Sequence, residues 1–326
     1  KECYMSTYNT AQVPVTVVRG SHAAQLHATV IATVPASIRC TYEFDSPQEI
    51  IHFDNEMAEA GIPLRRWLVG TPHHPAGIAL CFRPTWKVPD YTFWVHVRML
   101  SHAHAHATQA LWHEVIRWAK SAGARTLQTM AHPGDTSTLP LNRDALHIGT
   151  EQIYRRAMPL GTITLPTRPA TLSIHTLAER MQHDPDAIER ACTLHAAISR
   201  DVPLPDEPIV TMTKFRRLVG EFIRPEHYVI AMIDNEYVAE SILYVEDDQT
   251  VAWQHATGVL PAYRGHGIAQ HVKYASLEIA AQLGVRDVCT WVESRNKSML
   301  HINTQFGFKM LNDVHAISHI YEIALD

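Results

Sequence analysis

Six consecutive residues, Arg264, Gly265, His266, Gly267, Ile268 and Ala269, concentrate chemistry that the chain spreads thinly elsewhere: two of only 14 glycines in 326 residues stand here. They lie between a strand-like run, "TVAWQHATGVL" (250–260), which feeds through Pro261, and an amphipathic segment, "IAQHVKYASLEIAAQLG" (268–284). The first turn of a helix presents main-chain N–H groups without intrahelical acceptors and a partial positive charge. Together these make an anion site. Glycine at 265 and 267 lets a phosphate approach the backbone with no Cβ in the way, Ala269 keeps the first helical turn slim, and Arg264 adds a fixed charge. A plain strand-to-helix connection would use the same glycines.

The wider pattern separates the two readings. "YRGHGIA" after "TGVLP", followed one helix and one strand later by "NKSMLHINTQFGF" (296–308), resembles the GNAT superfamily of N-acetyltransferases. The family pattern Gln/Arg-x-x-Gly-x-Gly/Ala is met by Arg264, Gly267 and Ala269. A downstream Asn, a small or sulfur side chain three later and a closing Gly-Phe are met by Asn296, Met299, Gly307 and Phe308. The resemblance implies acetyl-CoA or another acyl-CoA as co-substrate and no metal. It implies that the N–H groups of Gly265, His266, Gly267, Ile268 and Ala269 hold the pyrophosphate, with Arg264, Asn296 and Met299 also against the cofactor. It further implies that the backbone of Thr257 and Val259 bonds pantetheine and the thioester carbonyl, where such donors stabilise the oxyanion of a tetrahedral intermediate.

Direct attack by an amine needs that amine neutral, so a base or a water chain must accept its proton. Strand alternation puts Trp253, His255, Thr257 and Val259 on one face, which in the family lines the substrate cleft. His255 is therefore a candidate base, with Glu293, at the end of "DVCTWVE", and Glu240, on the preceding hairpin, as rivals. Seven residues after the downstream Asn the family often has a tyrosine that protonates the leaving thiolate; here that place holds Asn303. Asparagine cannot donate a proton at neutral pH, but it can hydrogen-bond the thiol or the cofactor. His102, His104 and His106 alternate, which invites a metal reading, yet no carboxylate or Cys stands between them. A loop that has lost its phosphate site fits them better.

These residues need a strand, a turn and a helix to position them, and the chain shows that order twice. "IRWAKSAGARTLQTM" (116–130) and "LEIAAQLGVRDVCTW" (277–291) superpose without a gap when Gly123 is set on Gly284, an internal duplication that places His106 at Gly267. Other elements follow from turn and cap chemistry: a helix within 45–61 led by Asp45 or Ser46, a helix within 184–202, and two strands around Asp234-Asn235. The prolines and threonines of "LPTRPATL" (165–172) mark a linker. The expected fold class is α/β (α+β): two tandem GNAT-like domains, each a mixed, mostly antiparallel sheet flanked by helices. Residues 1–165 form the degenerate copy, 166–172 the linker and 173–326 the acyl-CoA-binding catalytic domain.

Composition sets the outer bounds. At 46% hydrophobic the chain can bury a sizeable core, and a net charge of −5 with no basic stripe argues against a nucleic-acid partner. No apolar run approaches the length of a membrane span, and "KECYMSTYNTAQ" lacks the apolar core of a signal peptide, so a cytoplasmic location is expected. Five cysteines without metal-like spacing suggest reduced thiols. The expected activity is transfer of acetyl from acetyl-CoA to the primary amine of a small molecule: an amino sugar, an amino acid or a natural-product amine. The alternatives are a longer or acyl-carrier-protein-bound donor, thioester hydrolysis, or a CoA-binding sensor without turnover. A homodimer is among its possible assemblies.

Overall fold

The computed structural model describes residues 14–32, 46–84, 91–100, 105–133, 139–140, 144–161, 163–202, 210–246, 248–313 and 316–325. The chain divides into two compact units. The first holds residues 1–84, 89–148 and 318–326, and the second 85–88 and 149–317.

In the first unit, strands β1 (Val15–Val18), β2 (Leu64–Thr71), β3 (His74–Phe82) and β4 (Thr92–Met99) pair antiparallel in sequence order, and β5 (Thr126–Ala131) joins β4 in parallel. Helices α1 (Gly20–Ile31) and α2 (Pro47–Glu59) precede β2, and α3 (Ala105–Ser121) makes the crossover from β4 to β5. The α2 start follows the capping rule, since the Ser46 hydroxyl accepts from Glu49 N–H at 3.4 Å and Pro47 occupies the first turn.

The second unit repeats the plan. Strand β6 (Leu146–Ala157) leads into β7 (Ser173–Thr176), helices α4 (Leu177–His183), α5 (Ala187–Ser199) and α6 (Met212–Arg217), and then β8 (Tyr228–Ile233), β9 (Glu236–Val245) and β10 (Val251–Val259). Helix α7 (Ile268–Gln282) carries the chain from β10 to β11 (Asp287–Glu293), which β10 pairs in parallel; α8 (Lys297–Gln305) and the short β12 (Lys309–Met310) follow. The helix ends and the strands that follow them keep the offset between the two segments. Helix α3 ends two residues before Gly123 and α7 two before Gly284; β5 and β11 each begin three after. Both glycines hold a positive φ, which ends each helix.

Each parallel pair is closed by an antiparallel strand taken from elsewhere in the sequence. Strand β6 pairs with β11 from Ala157↔Asp287 to Glu151↔Glu293 in the second unit, while the last strand, β13 (Ile317–Ala324), pairs with β5 in the first. The linker expected at 166–172 therefore lies inside the second unit, and the units divide within β6 and at the start of β13. The segment is anchored there: Ile163 and Leu165 pack on the core under α7 and α8, and the Arg168 guanidinium donates to Leu172 O at 3.1 and 2.9 Å.

Two cores flank the second unit's sheet. Helices α5 and α6 cover one face through Ala191, Leu194, Phe215, Tyr228 and Ile242; α7 and α8 cover the other through Ile268, Val272, Leu277, Phe306 and Phe308. No described helix is long and apolar enough to cross a membrane.

Candidate active site

Strands β10 and β11 part in mid-strand. Their pairing runs only from Val251↔Asp287 to Trp253↔Cys289, after which the Thr290 hydroxyl donates to Gln254 O at 3.0 Å and the ladder stops. On its other edge β10 stays paired with β9 as far as Val259↔Ala239. Leu260 N–H donates to Val238 O of β9 at 2.9 Å. Main-chain groups of successive strand residues point to opposite edges. Those of Thr257 and Val259 therefore face away from β9, towards the edge that β11 has left, and one of them, Val259 O, accepts from Arg264 Nε at 2.9 Å.

The glycine loop closes this gap at one end. A short helical turn, Pro261–Tyr263, delivers the chain to Gly265 at φ 80° and to Gly267 at φ 75°, which caps α7. Hydrogen bonding passes from Arg264 N–H→Pro261 O to Gln270 N–H→Gly267 O; among the described residues the five N–H groups between, those of 265–269, make none. His266 is exposed, Ile268 is buried in the core below and Ala269 is half-buried. A Cβ added at Gly265 would meet open space, whereas one at Gly267 would lie 2.4 Å from Pro166 Cγ. Gly267 is thus required for the close approach of the 163–172 segment as well as for its backbone angle. The Arg264 guanidinium also bonds Asp201 Oδ2 at 2.5 Å, tying the loop to the end of α5.

His255 is the extra residue of a β-bulge, since the β9 register steps from Gln254↔Leu243 to Ala256↔Ile242. The bulge overturns the simple alternation expected for this strand. Trp253 lies with Cys289 and Ile153 and stacks on Trp291 at 3.9 Å, on the α5 side of the sheet, whereas Thr257 bonds Ser241 at 2.9 Å and Val259 packs on α7. His255 itself is open to water. The mass of protein around it and the positive charge of His195 lower its pKa. Because water reaches the ring, the shift is smaller than full burial would impose, but its sign keeps the imidazole neutral at pH 7.

Glu240, the rival base on β9, is wholly buried and engaged: His195 Nδ1 lies 2.7 Å from its Oε1, and Tyr228 donates to its Oε2. Burial works against the His195 cation, but the charge and hydrogen bond of Glu240 outweigh it and raise its pKa. Tyr228 is raised well above its ordinary value by burial and by Glu240, so it stays a donor. The second unit therefore brings His255 and Glu240 together with two residues that sequence reasoning missed, His195 of α5 and Tyr228 of β8. Nothing in their local patterns sets them apart from core residues.

The remaining candidates have structural partners or none. Glu293 is buried and accepts from Arg295 N–H at 2.7 Å and Arg295 Nε at 2.9 Å, closing the turn into α8. Asn296 caps α8, its side chain accepting from Met299 N–H at 3.1 Å, a role that its place before a helical run foreshadows. Asn303 is fully buried on α8, and neither its Nδ2 nor its Oδ1 has a hydrogen-bond partner among the described residues. In the first unit His106 lies exposed in the first turn of α3, while His102 and His104 fall outside the described residues. Among the described residues no three His, Cys, Asp or Glu side chains are grouped to hold a metal.

Comparison with known proteins bears on the second unit and on the fold of the whole chain. Residues 192–308 match the acetyltransferase (GNAT) family, whose members use acyl-CoA. No curated protein matched by sequence. A tandem GNAT protein from the clavulanic acid biosynthesis pathway superposes with a TM-score of 0.68 at 14% identity, over 96% of this chain and 99% of its own. A GCN5-related N-acetyltransferase from Sphaerobacter thermophilus gives 0.66 at 15% identity, over 97% and 96%. A GCN5-related glucosamine N-acetyltransferase region of a fungal multi-domain β-N-acetylglucosaminidase gives 0.65 at 10% identity, over 97% of this chain and 38% of that one. At these identities the superpositions show the shared fold. Residues 192–308 thus match the acetyltransferase (GNAT) family, and the chain as a whole shares the fold of a tandem GNAT protein.

Proposed function

We propose that the second unit transfers an acetyl group from acetyl-CoA to the primary amine of a small molecule by direct attack. The observation that carries this reading is the parting of β10 and β11 beside a helix start with five unbonded N–H groups. The helix start suits a diphosphate, and the gap suits an extended arm that takes the missing strand's hydrogen bonds. The acyl carbonyl would then meet the N–H of Thr257 or Val259, which stabilises the oxyanion as the carbonyl carbon becomes tetrahedral. The amine forms the new C–N bond, its proton passes to neutral His255, and the C–S bond breaks to release the CoA thiolate. The mass of protein around His255 and the charge of His195, whose pKa Glu240 raises, both disfavour a charge on His255 before the reaction.

A small-molecule acceptor is favoured by two of the fold's neighbours, one named for the clavulanic acid biosynthesis pathway and one for glucosamine N-acetyltransfer. One observation favours a second reading, a CoA-binding protein without turnover: Asn303 offers no acidic hydroxyl to the leaving sulfur. The test is thiol release from acetyl-CoA across a panel of amino sugars, amino acids and polyamines, with product masses recorded. Amine-dependent release with a mass gain of one acetyl group supports transfer. Release without amine supports hydrolysis, and binding without release across the panel supports the second reading.

A further inference from the structure

Lys273 of α7 is buried in the core with an exposure of 1%. No carboxylate pairs with it among the described residues. Its Nζ donates to Gln254 Oε1 and lies 4.6 Å over the ring of Phe308. A lysine without a counter-ion in such a place is costly, and burial pulls its pKa down to about 7. Its bond with Gln254 is the first of a chain: Gln254 Nε2 donates to Ser241 Oγ at 3.1 Å, and Ser241 Oγ lies 2.9 Å from Thr257 Oγ1.

Donor and acceptor chemistry gives this chain a direction. In its ammonium form Lys273 has only protons to offer, so Gln254 turns its oxygen to Lys273 and its NH₂ to Ser241. The Ser241 oxygen accepts from Gln254, and because Ser241 is fully buried its own hydroxyl proton is best placed on Thr257 Oγ1, its one other side-chain partner among the described residues. The Thr257 proton is left with no protein acceptor among the described residues. Thr257 stands on the stretch of β10 beyond its last pair with β11, and its side chain is only half-buried.

We propose that Lys273 is a positioning residue: acting through Gln254 and Ser241, it sets the Thr257 hydroxyl as a hydrogen-bond donor to the acyl-CoA arm. The inference rests on the acyl-CoA reading above, and adds a side-chain donor whose polarity is fixed from the core. Without Lys273 the Gln254 amide is free to turn over, and the Thr257 proton can go back to Ser241.

Calorimetric titration with acetyl-CoA tests this on Lys273→Met, Thr257→Val, Thr257→Ser, Gln254→Glu and the Lys273→Met/Thr257→Val double variant. Loss of one hydrogen bond predicts roughly a three- to tenfold weaker affinity for Lys273→Met and for Thr257→Val, while Thr257→Ser retains affinity. The double variant should bind no more weakly than Thr257→Val alone, because both changes remove one interaction. Gln254→Glu keeps a partner for Lys273 but cannot donate to Ser241, so it should bind as weakly as Lys273→Met while staying folded. That variant decides the matter should Lys273→Met fail to fold. Additive losses in the double variant, or full affinity in Gln254→Glu, overturn the proposal and leave the acyl-CoA reading intact. A wild-type protein that binds no acyl-CoA overturns both.

Discussion

The two loop glycines predict a separation between stability and binding. At Gly265 and Gly267 the backbone stands at φ 80° and 75°, so alanine at either site costs about 1–2 kcal/mol for the left-handed conformation alone. At Gly265 nothing else is met, but at Gly267 the new methyl would stand 2.4 Å from Pro166 Cγ and 3.0 Å from Pro166 Cβ. That overlap falls on a ring, not on the end of a flexible side chain, and overpacking of this kind adds about 1–3 kcal/mol. Gly267→Ala is therefore expected to lose about 2–5 kcal/mol and Gly265→Ala about 1–2 kcal/mol. Urea unfolding followed by tryptophan fluorescence, with the stacked Trp253 and Trp291 as reporters, measures both. Acetyl-CoA affinity should not follow the same order. The open space at Gly265 is where a diphosphate would approach, so Gly265→Ala should weaken binding at least about tenfold, despite being the milder change in stability. Equal stability of the two variants would refute the Pro166 contact, and wild-type affinity in Gly265→Ala would refute the placement of the phosphates.

Three further outcomes follow from the site. His255→Gln should lower kcat by on the order of 100-fold with acetyl-CoA affinity unchanged; in the wild type the rise of kcat/KM with pH should lie below pH 6.5, since the His255 pKa is lowered. The His195 pKa is instead raised from 6.5, so the stability given by its pair with Glu240 is complete below pH 6.5 and is lost as pH rises through the folded value. Urea midpoints across that window should fall in the wild type and stay flatter in His195→Gln. Asn303→Leu removes a buried amide with no partner among the described residues and should raise stability by about 1–3 kcal/mol in the same assay; a loss would mean that the amide is hydrogen-bonded.

What the sequence could disclose followed from local chemistry. The Asp234-Asn235 turn holds both residues at positive φ (46° and 68°), the conformation such a pair favours between two strands, and Gly123 and Gly284 end matched helices. The glycine loop was legible for the same reason, because a positive φ and a close approach each select for glycine. What escaped was set by pairings between distant residues. Periodicity along β6 or β13 says nothing of which strand each will pair with, so the division of the chain fell elsewhere than at the proline-rich segment. The bulge at His255 depends on the β9 register, and one inserted residue moved Thr257 and Val259 to the face opposite Trp253. His195 meets Glu240 across 45 positions and Arg264 meets Asp201 across 63, contacts that only the folded chain creates.

The central claim is that one diphosphate-bearing acyl donor binds per chain, at the loop of the second unit. Calorimetric titration of the whole protein with acetyl-CoA measures it most directly, with the same titration on Gly265→Ala and His106→Asp. The account predicts a stoichiometry of one, weakened by the change at 265 and untouched by the change at 106. Two sites per chain, or comparable losses in both variants, would contradict it.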